Sequence, residues 1–153
     1  MSSNFARLIA TFFYIGYIPV APGTSASLVG MFFYLFFCQN IVVYALIFVV
    51  VFFLGFFVSD LAEKSLGEKD PSCIVIDEVA GSMITFFMLP LMPSVLITAF
   101  FLFRAFDMFK IYPVNKFEDL KGGVGVMMDD VIAGVYANLL MHAALKLKDL
   151  FFI

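Results

Sequence analysis

Charge is what this chain has least of. No Asp, Glu, Lys or Arg occurs from Leu8 to Ser59, from Val79 to Phe103 or from Val131 to Leu145, and charged residues are only 14% of the 153. A soluble domain of that length exposes too much surface to be served by so few charges. With 63% hydrophobic residues and a mean hydropathy of +1.06, the class indicated is an integral membrane protein, one domain over residues 1–153. The net charge of −3 leaves no basic field for nucleic acid, so no nucleic-acid partner is expected.

Other absences exclude particular chemistries. Histidine occurs once, at His142, so a mechanism needing one His as nucleophile and another as acid is excluded. Cysteine occurs twice, at Cys38 in an apolar run and Cys73 in a polar loop. No CxxC or Cys/His spacing suggests a metal site or a disulfide, and Cys73-Ile-Val-Ile-Asp-Glu is not an Arg-capped nucleophile loop. No GxxxxGK[ST] or GxGxxG phosphate loop is present. The N-terminal stretch to Ile18 has one positive charge and a short apolar run. Pro19-Val-Ala-Pro-Gly follows in place of a small-x-small cleavage site, so it is read as retained.

The gaps in charge outline the helices. Pro19, Pro22-Gly23 and Gln39-Asn40 divide the first long stretch. They predict helices over 5–15 and 25–38, and a third from Ile41 into the Glu63 region. Residues 79–103 make either one kinked span or two half-length helices meeting at Pro90-Leu-Met-Pro93. The hairpin is favoured, because Arg7, Lys64, Lys69, Arg104, Lys110, Lys116 and Lys121 then share one membrane face. A last helix is predicted over 128–147. The fold expected is all-α: a polytopic membrane bundle with short or half-length helices and a polar active-site face at the cytoplasmic interface. Gly81 with Thr85, Ala133 with Ala137, and Gly134 with Asn138 are small-residue pairs at spacing four, read as close helix packing.

The charges that are present cluster. Asp77-Glu78 and Asp129-Asp130 each stand at the mouth of an apolar stretch. Helix capping is the ordinary alternative for either pair alone. Two such pairs on one face, with Asp107, supply up to five carboxylates, the hard oxygen ligands that Mg²⁺ or Mn²⁺ prefers. Arg104, Asp107 and Lys110 recur every third residue, and so share an arc of about 120° on a helix. Beside the acids they read as a phosphate clamp, Arg104 and Lys110, flanking a metal ligand, Asp107. Two further stretches are candidates for holding an anion. In Pro19–Leu28 the groups are Thr24, Ser25 and Ser27, for which an N-cap role is the ordinary alternative. In Gly122-Gly123-Val-Gly125 they are the backbone amides, with Gly122 and Gly123 named for phosphate. His142 lies mid-helix and reads as a helix–helix hydrogen-bonding residue.

Four ordered blocks carry a resemblance. They are Pro19-Val-Ala-Pro-Gly-Thr24 with Ser27-Leu28, then Asp70-Pro71 with Ile74–Gly81. Phe103-Arg104-Ala-Phe-Asp107 with Lys110 and Pro113 comes third, and Gly122–Met127 with Asp129-Asp130 and Ala133-Gly134 fourth. Together they resemble the phosphatidylglycerophosphatase A family of bacterial membrane enzymes. The chain departs from the family's pattern at Ile111, where a proline is usual, and at Ala26, where a glycine is usual. The resemblance implies Mg²⁺-dependent hydrolysis of phosphatidylglycerol phosphate to phosphatidylglycerol and phosphate, at the cytoplasmic face of a bacterial inner membrane. On that reading Glu78, Asp107, Asp129 and Asp130 are metal ligands and Asp77 a ligand or general base. Asp77, Asp130, Arg104 and Lys110 then carry catalysis. The other class considered is a cation or proton transporter using the acids as a pathway.

Overall fold

The computed structural model describes residues 3–69, 71–109, 112 and 122–151. Among these it has six α-helices and no strand. They are α1 (Ser3–Ala10), α2 (Pro22–Phe37), α3 (Ile41–Leu66), α4 (Ile76–Phe86), α5 (Pro93–Phe109) and α6 (Gly123–Phe151), with a 3-10 turn at Ile15–Tyr17.

Local chemistry explains most boundaries. Pro22 opens α2 with its missing N–H where none is needed, and Asn40 caps α3 by accepting from Val43 N at 3.2 Å. Gly67, at φ 72, ends α3 with its N–H on Glu63 O. Three expected boundaries are corrected. The first helix stops at Ala10, not residue 15, because Phe12, Phe13 and Tyr14 all take positive φ. The second starts at Pro22, not Ser25. The last starts at Gly123, not Met128. The glycine stretch there is helical because Gly123 packs against the Phe56 backbone of α3, where a Cβ would clash.

The chain over 79–103 forms two helices, α4 and α5, and reverses between them. Asp77 and Glu78 at the start of α4 reach the same cavity as Arg104 and Asp107 near the end of α5. Helix α4 has 11 residues, about 16 Å of rise. It is the axis of the bundle, packed against α2, α3, α5 and α6. Its small residues permit this: Gly81 meets the Asp130 backbone and Phe103, and Gly134 of α6 lies on Gly81 O.

A helix ending inside an apolar bundle leaves carbonyls without donor partners. Four side chains supply them. Tyr44 Oη donates to Met83 O at 2.6 Å, and Tyr34 Oη donates to Leu89 O. Asn138 Nδ2 donates to Thr85 O at 3.0 Å and Phe87 O at 2.8 Å, and His142 Nε2 lies 3.2 Å from Phe87 O.

The outside of the bundle is apolar. Val42, Leu46, Val50, Phe53 and Phe57 of α3 are all exposed. α3 and α6 are long and apolar enough to cross a membrane, and only 17% of the most apolar part of α3 is buried. A soluble protein's core helix would be mostly buried, so the outward face of α3 fits contact with lipid.

Candidate active site

Five parts of the chain meet at one end of the bundle around a cavity of about 570 Å³. The start of α2 and the residue before it contribute Ala21, Pro22, Gly23 and Thr24; the loop between α3 and α4 contributes Ser72 and Ile74. Helix α4 gives Asp77 and Glu78, α5 gives Arg104, Asp107 and Met108, and α6 gives Asp129 and Asp130. The N-termini of α2 and α4 both open here, so their amide dipoles add positive potential.

The acids form the floor. One oxygen from each of Asp77, Glu78 and Asp130 lies within 4.8 Å of the others. Asp77 Oδ1 and Glu78 Oε2 are buried without a hydrogen-bond partner. Asp129 is buried beside them, with Oδ1 accepting from Asp130 N at 3.0 Å. α6 begins six residues before Asp129, so neither Asp129 nor Asp130 caps it.

Burial, with the charges of Glu78 and Asp130 adding to it, raises the Asp77 carboxyl well above the usual carboxylate range. Burial also raises Glu78, to about 7, with the Asp77 hydrogen bond and Arg104 opposing. Like charges this close and this dry are held by a cation or by protons. Three hard oxygen donors with two unpartnered buried oxygens fit a small divalent ion such as Mg²⁺.

Arg104 forms the wall. Its Nη1 pairs with Asp107 Oδ2 at 2.7 Å and donates to Ser27 Oγ at 3.4 Å. Ser27 Oγ in turn donates to Gly23 O at 2.7 Å. Gly23 allows this approach, since a Cβ there would press on Glu78 Oε1 and stand 3.3 Å from Arg104 Nη1.

The sequence candidates therefore separate. Asp77, Glu78, Asp107, Asp129, Asp130, Arg104 and Thr24 line the cavity. Ser25 and Ser27 do not: Ser25 Oγ donates to Ala21 O, and Ser27 sits behind Arg104. Gly122 and Gly123 are also outside the lining, against Asp60 and Phe56 of α3. Lys110 lies outside the described residues, as do Lys116 and Lys121. Sequence reasoning missed Ser72 and Met108, which nothing in their local pattern marks, and gave no role to Ile74, which lies in the second of the four blocks.

The profile of the family described as Phosphatidylglycerophosphatase A matches residues 8–145. A provisionally named phosphatidylinositol-3-phosphatase of Bacteroides thetaiotaomicron is 40% identical, over 90% of this chain and 91% of its own. The phosphatidylglycerophosphatase A of Escherichia coli is 35% identical, over 87% of this chain and 79% of its own. That of Haemophilus influenzae is 33% identical, over 92% and 88%. No solved structure matches the chain.

Proposed function

The chain belongs to the phosphatidylglycerophosphatase A family and is a phosphatase, and we propose that it hydrolyses phosphatidylglycerol phosphate to phosphatidylglycerol and phosphate, with Mg²⁺ as cofactor. The observation that carries this is the meeting of Asp77, Glu78 and Asp130 with Arg104 in one cavity. A phosphomonoester is a dianion and needs fixed positive charge opposite it. Among described residues lining the cavity, Arg104 is the one cation against five acids, so the acids call for a metal ion.

Asp77, Glu78 and Asp130 would hold the ion, with Asp107 and Asp129 adjoining. When bound, Mg²⁺ supplies Lewis-acid polarisation of the phosphoryl oxygens and lowers the pKa of a coordinated water. Arg104 binds the phosphoryl group, held at its angle by Asp107 and Ser27. The α2 N-terminus at Gly23 and Thr24 orients the remaining phosphoryl oxygens. Asp77 is either the third ligand or the general base that takes a proton from the attacking group; burial raises its carboxyl above the usual carboxylate range. Lys110 is a second candidate clamp.

The polytopic arrangement, with the cavity at the cytoplasmic face of a bacterial inner membrane, is part of the same reading. It is supported by the outward apolar face of α3 and by the basic residues expected on that side. A cation or proton pathway finds no support: family membership points to hydrolysis, and the acids gather in one cavity. The deciding measurement is phosphate release from phosphatidylglycerol phosphate by the purified protein, with Mg²⁺ and after chelation. Release that is absent with Mg²⁺, or equal in both, overturns the proposal.

A further inference from the structure

A second cavity, of about 270 Å³, lies outside the acidic site and is lined by Asn4, Arg7, Leu8, Tyr14 and Tyr17. Arg7 is the only charged side chain before Asp60. Its Nη2 donates to Tyr17 Oη at 3.0 Å, and among the described residues no carboxylate pairs with it. The guanidinium thus keeps its full charge. Because Tyr17 Oη accepts from Arg7, its own proton is free to be donated. Asn4 adds an amide donor.

This arrangement is built by the fold. Phe12, Phe13 and Tyr14 take φ of 43°, 54° and 71°, a conformation that bulky residues avoid. Thr11 holds the turn: its Oγ1 accepts from Tyr14 N at 3.4 Å, and its carbonyl from Gly16 N at 2.9 Å. Gly16 then packs directly on the Cys73 carbonyl. The result sets the Tyr14 and Tyr17 rings 6.1 Å apart beside Arg7. Around them Phe5, Phe13, Ile18 and Val20 are exposed. Donors from one uncompensated cation, framed by aromatic and aliphatic side chains, match an anion attached to apolar chains.

We propose that this cavity binds the phosphodiester of an anionic phospholipid of the bilayer, as a site separate from the acidic cavity. A phosphodiester carries one negative charge, which one guanidinium balances; a free phosphate dianion would be half-compensated. A choline head group would bring its own cation toward Arg7 and be disfavoured. The apolar rim gives the lipid, and not the free ion, further contact. The proposal rests on contact between this chain and lipid, not on the reaction in the other cavity.

The test reads lipid retention without turnover. The full chain in neutral detergent is incubated with phosphatidylglycerol or phosphatidylcholine, and bound lipid is counted by native mass spectrometry. Phosphatidylglycerol should be retained in preference. Arg7→Gln should weaken its retention roughly fivefold, the scale of one basic residue near an anionic lipid surface. Tyr17→Phe should weaken it less, and Arg104→Gln should leave it unchanged, which separates this site from the acidic cavity. Circular dichroism checks that each variant is folded; if Arg7→Gln is not, Tyr17→Phe decides. Retention unaffected by both Arg7→Gln and Tyr17→Phe, or equal retention of phosphatidylcholine, overturns the proposal. So does loss of retention in Arg104→Gln alone, or displacement of the lipid by millimolar inorganic phosphate.

Discussion

Arg104 and Asp107, one turn apart on α5, form an ion pair of 2.7 Å in which both side chains are at least four-fifths buried. A pair so shielded fixes direction as well as charge, because the planar guanidinium has little room to turn. Arg104→Lys keeps the charge and loses the fork. It should lower kcat/KM for phosphate release by about 10²-fold, the scale of one transition-state donor. Far-UV circular dichroism should be unchanged. Activity within about twofold of the parent would remove Arg104 from the reaction.

Gly23 offers a smaller probe of the same wall. A single methyl group there presses on Glu78 Oε1 and the Arg104 guanidinium. Gly23→Ala should cost about tenfold or more in kcat, since displacements near 1 Å at a reacting centre carry such losses. Steady-state kinetics in detergent micelles would measure it. An unaltered kcat would mean the two side chains can retreat without consequence.

Asp130→Asn removes one of the three closely set oxygen donors while keeping the shape. It should abolish Mg²⁺-dependent phosphate release, with the protein still folded. Asp129→Asn should be milder, because Asp129 does not belong to the cluster within 4.8 Å. Retained turnover in Asp130→Asn would sink the ligand assignment.

The acids also predict a pH signature in the chelated protein. Glu78 is raised by burial from 4.5 to about 7, so between those values the folded state binds more protons than the unfolded state. Stability should therefore fall as pH rises through that window, and Asp77, shifted the same way, steepens the fall. Added Mg²⁺ should flatten the slope by binding the deprotonated cluster. Thermal unfolding in detergent across pH 4.5–7, with and without Mg²⁺, checks both signs.

At the other end of α4, Asn138→Ala should leave Thr85 O and Phe87 O short of a donor. The expected cost is about 1–3 kcal/mol, read as a lower Tm in detergent. Tyr44→Phe, which orphans Met83 O, should cost less or about the same. No change of Tm in either variant would mean that water or neighbouring groups replace the lost donors.

The site was more legible in the sequence than the frame around it. Asp77-Glu78 and Asp129-Asp130 betray themselves because charge beside apolar helices is costly, and Arg104 with Asp107 because their spacing is helical. The turn at Phe12–Tyr14 was not legible, since bulky residues at positive φ have no sequence signal. The early start of α6 was hidden because glycine propensity argues against a helix that only packing on Phe56 rewards. Tyr34 and Tyr44 look like any aromatic residue in an apolar run. Their partners are carbonyls 55 and 39 residues away, at a helix end that the sequence marks only by Pro90 and Pro93. Ser25, Ser27, Gly122 and Gly123 show the converse: polar or flexible residues in a promising pattern that lie outside the cavity lining, against Ala21 O, Arg104, Asp60 and Phe56.

Fastened at both ends, α4 serves as a measuring rod for the molecule. One inserted residue would advance its tip by about 1.5 Å and rotate Asp77 and Glu78 about 100° relative to the tyrosine and asparagine anchors. Either the carboxylates or the anchors would then miss their places. Length changes should thus be forbidden in this eleven-residue element, while the end of α6 beyond Leu145, the last of its residues packed on the core, is free to grow or shrink.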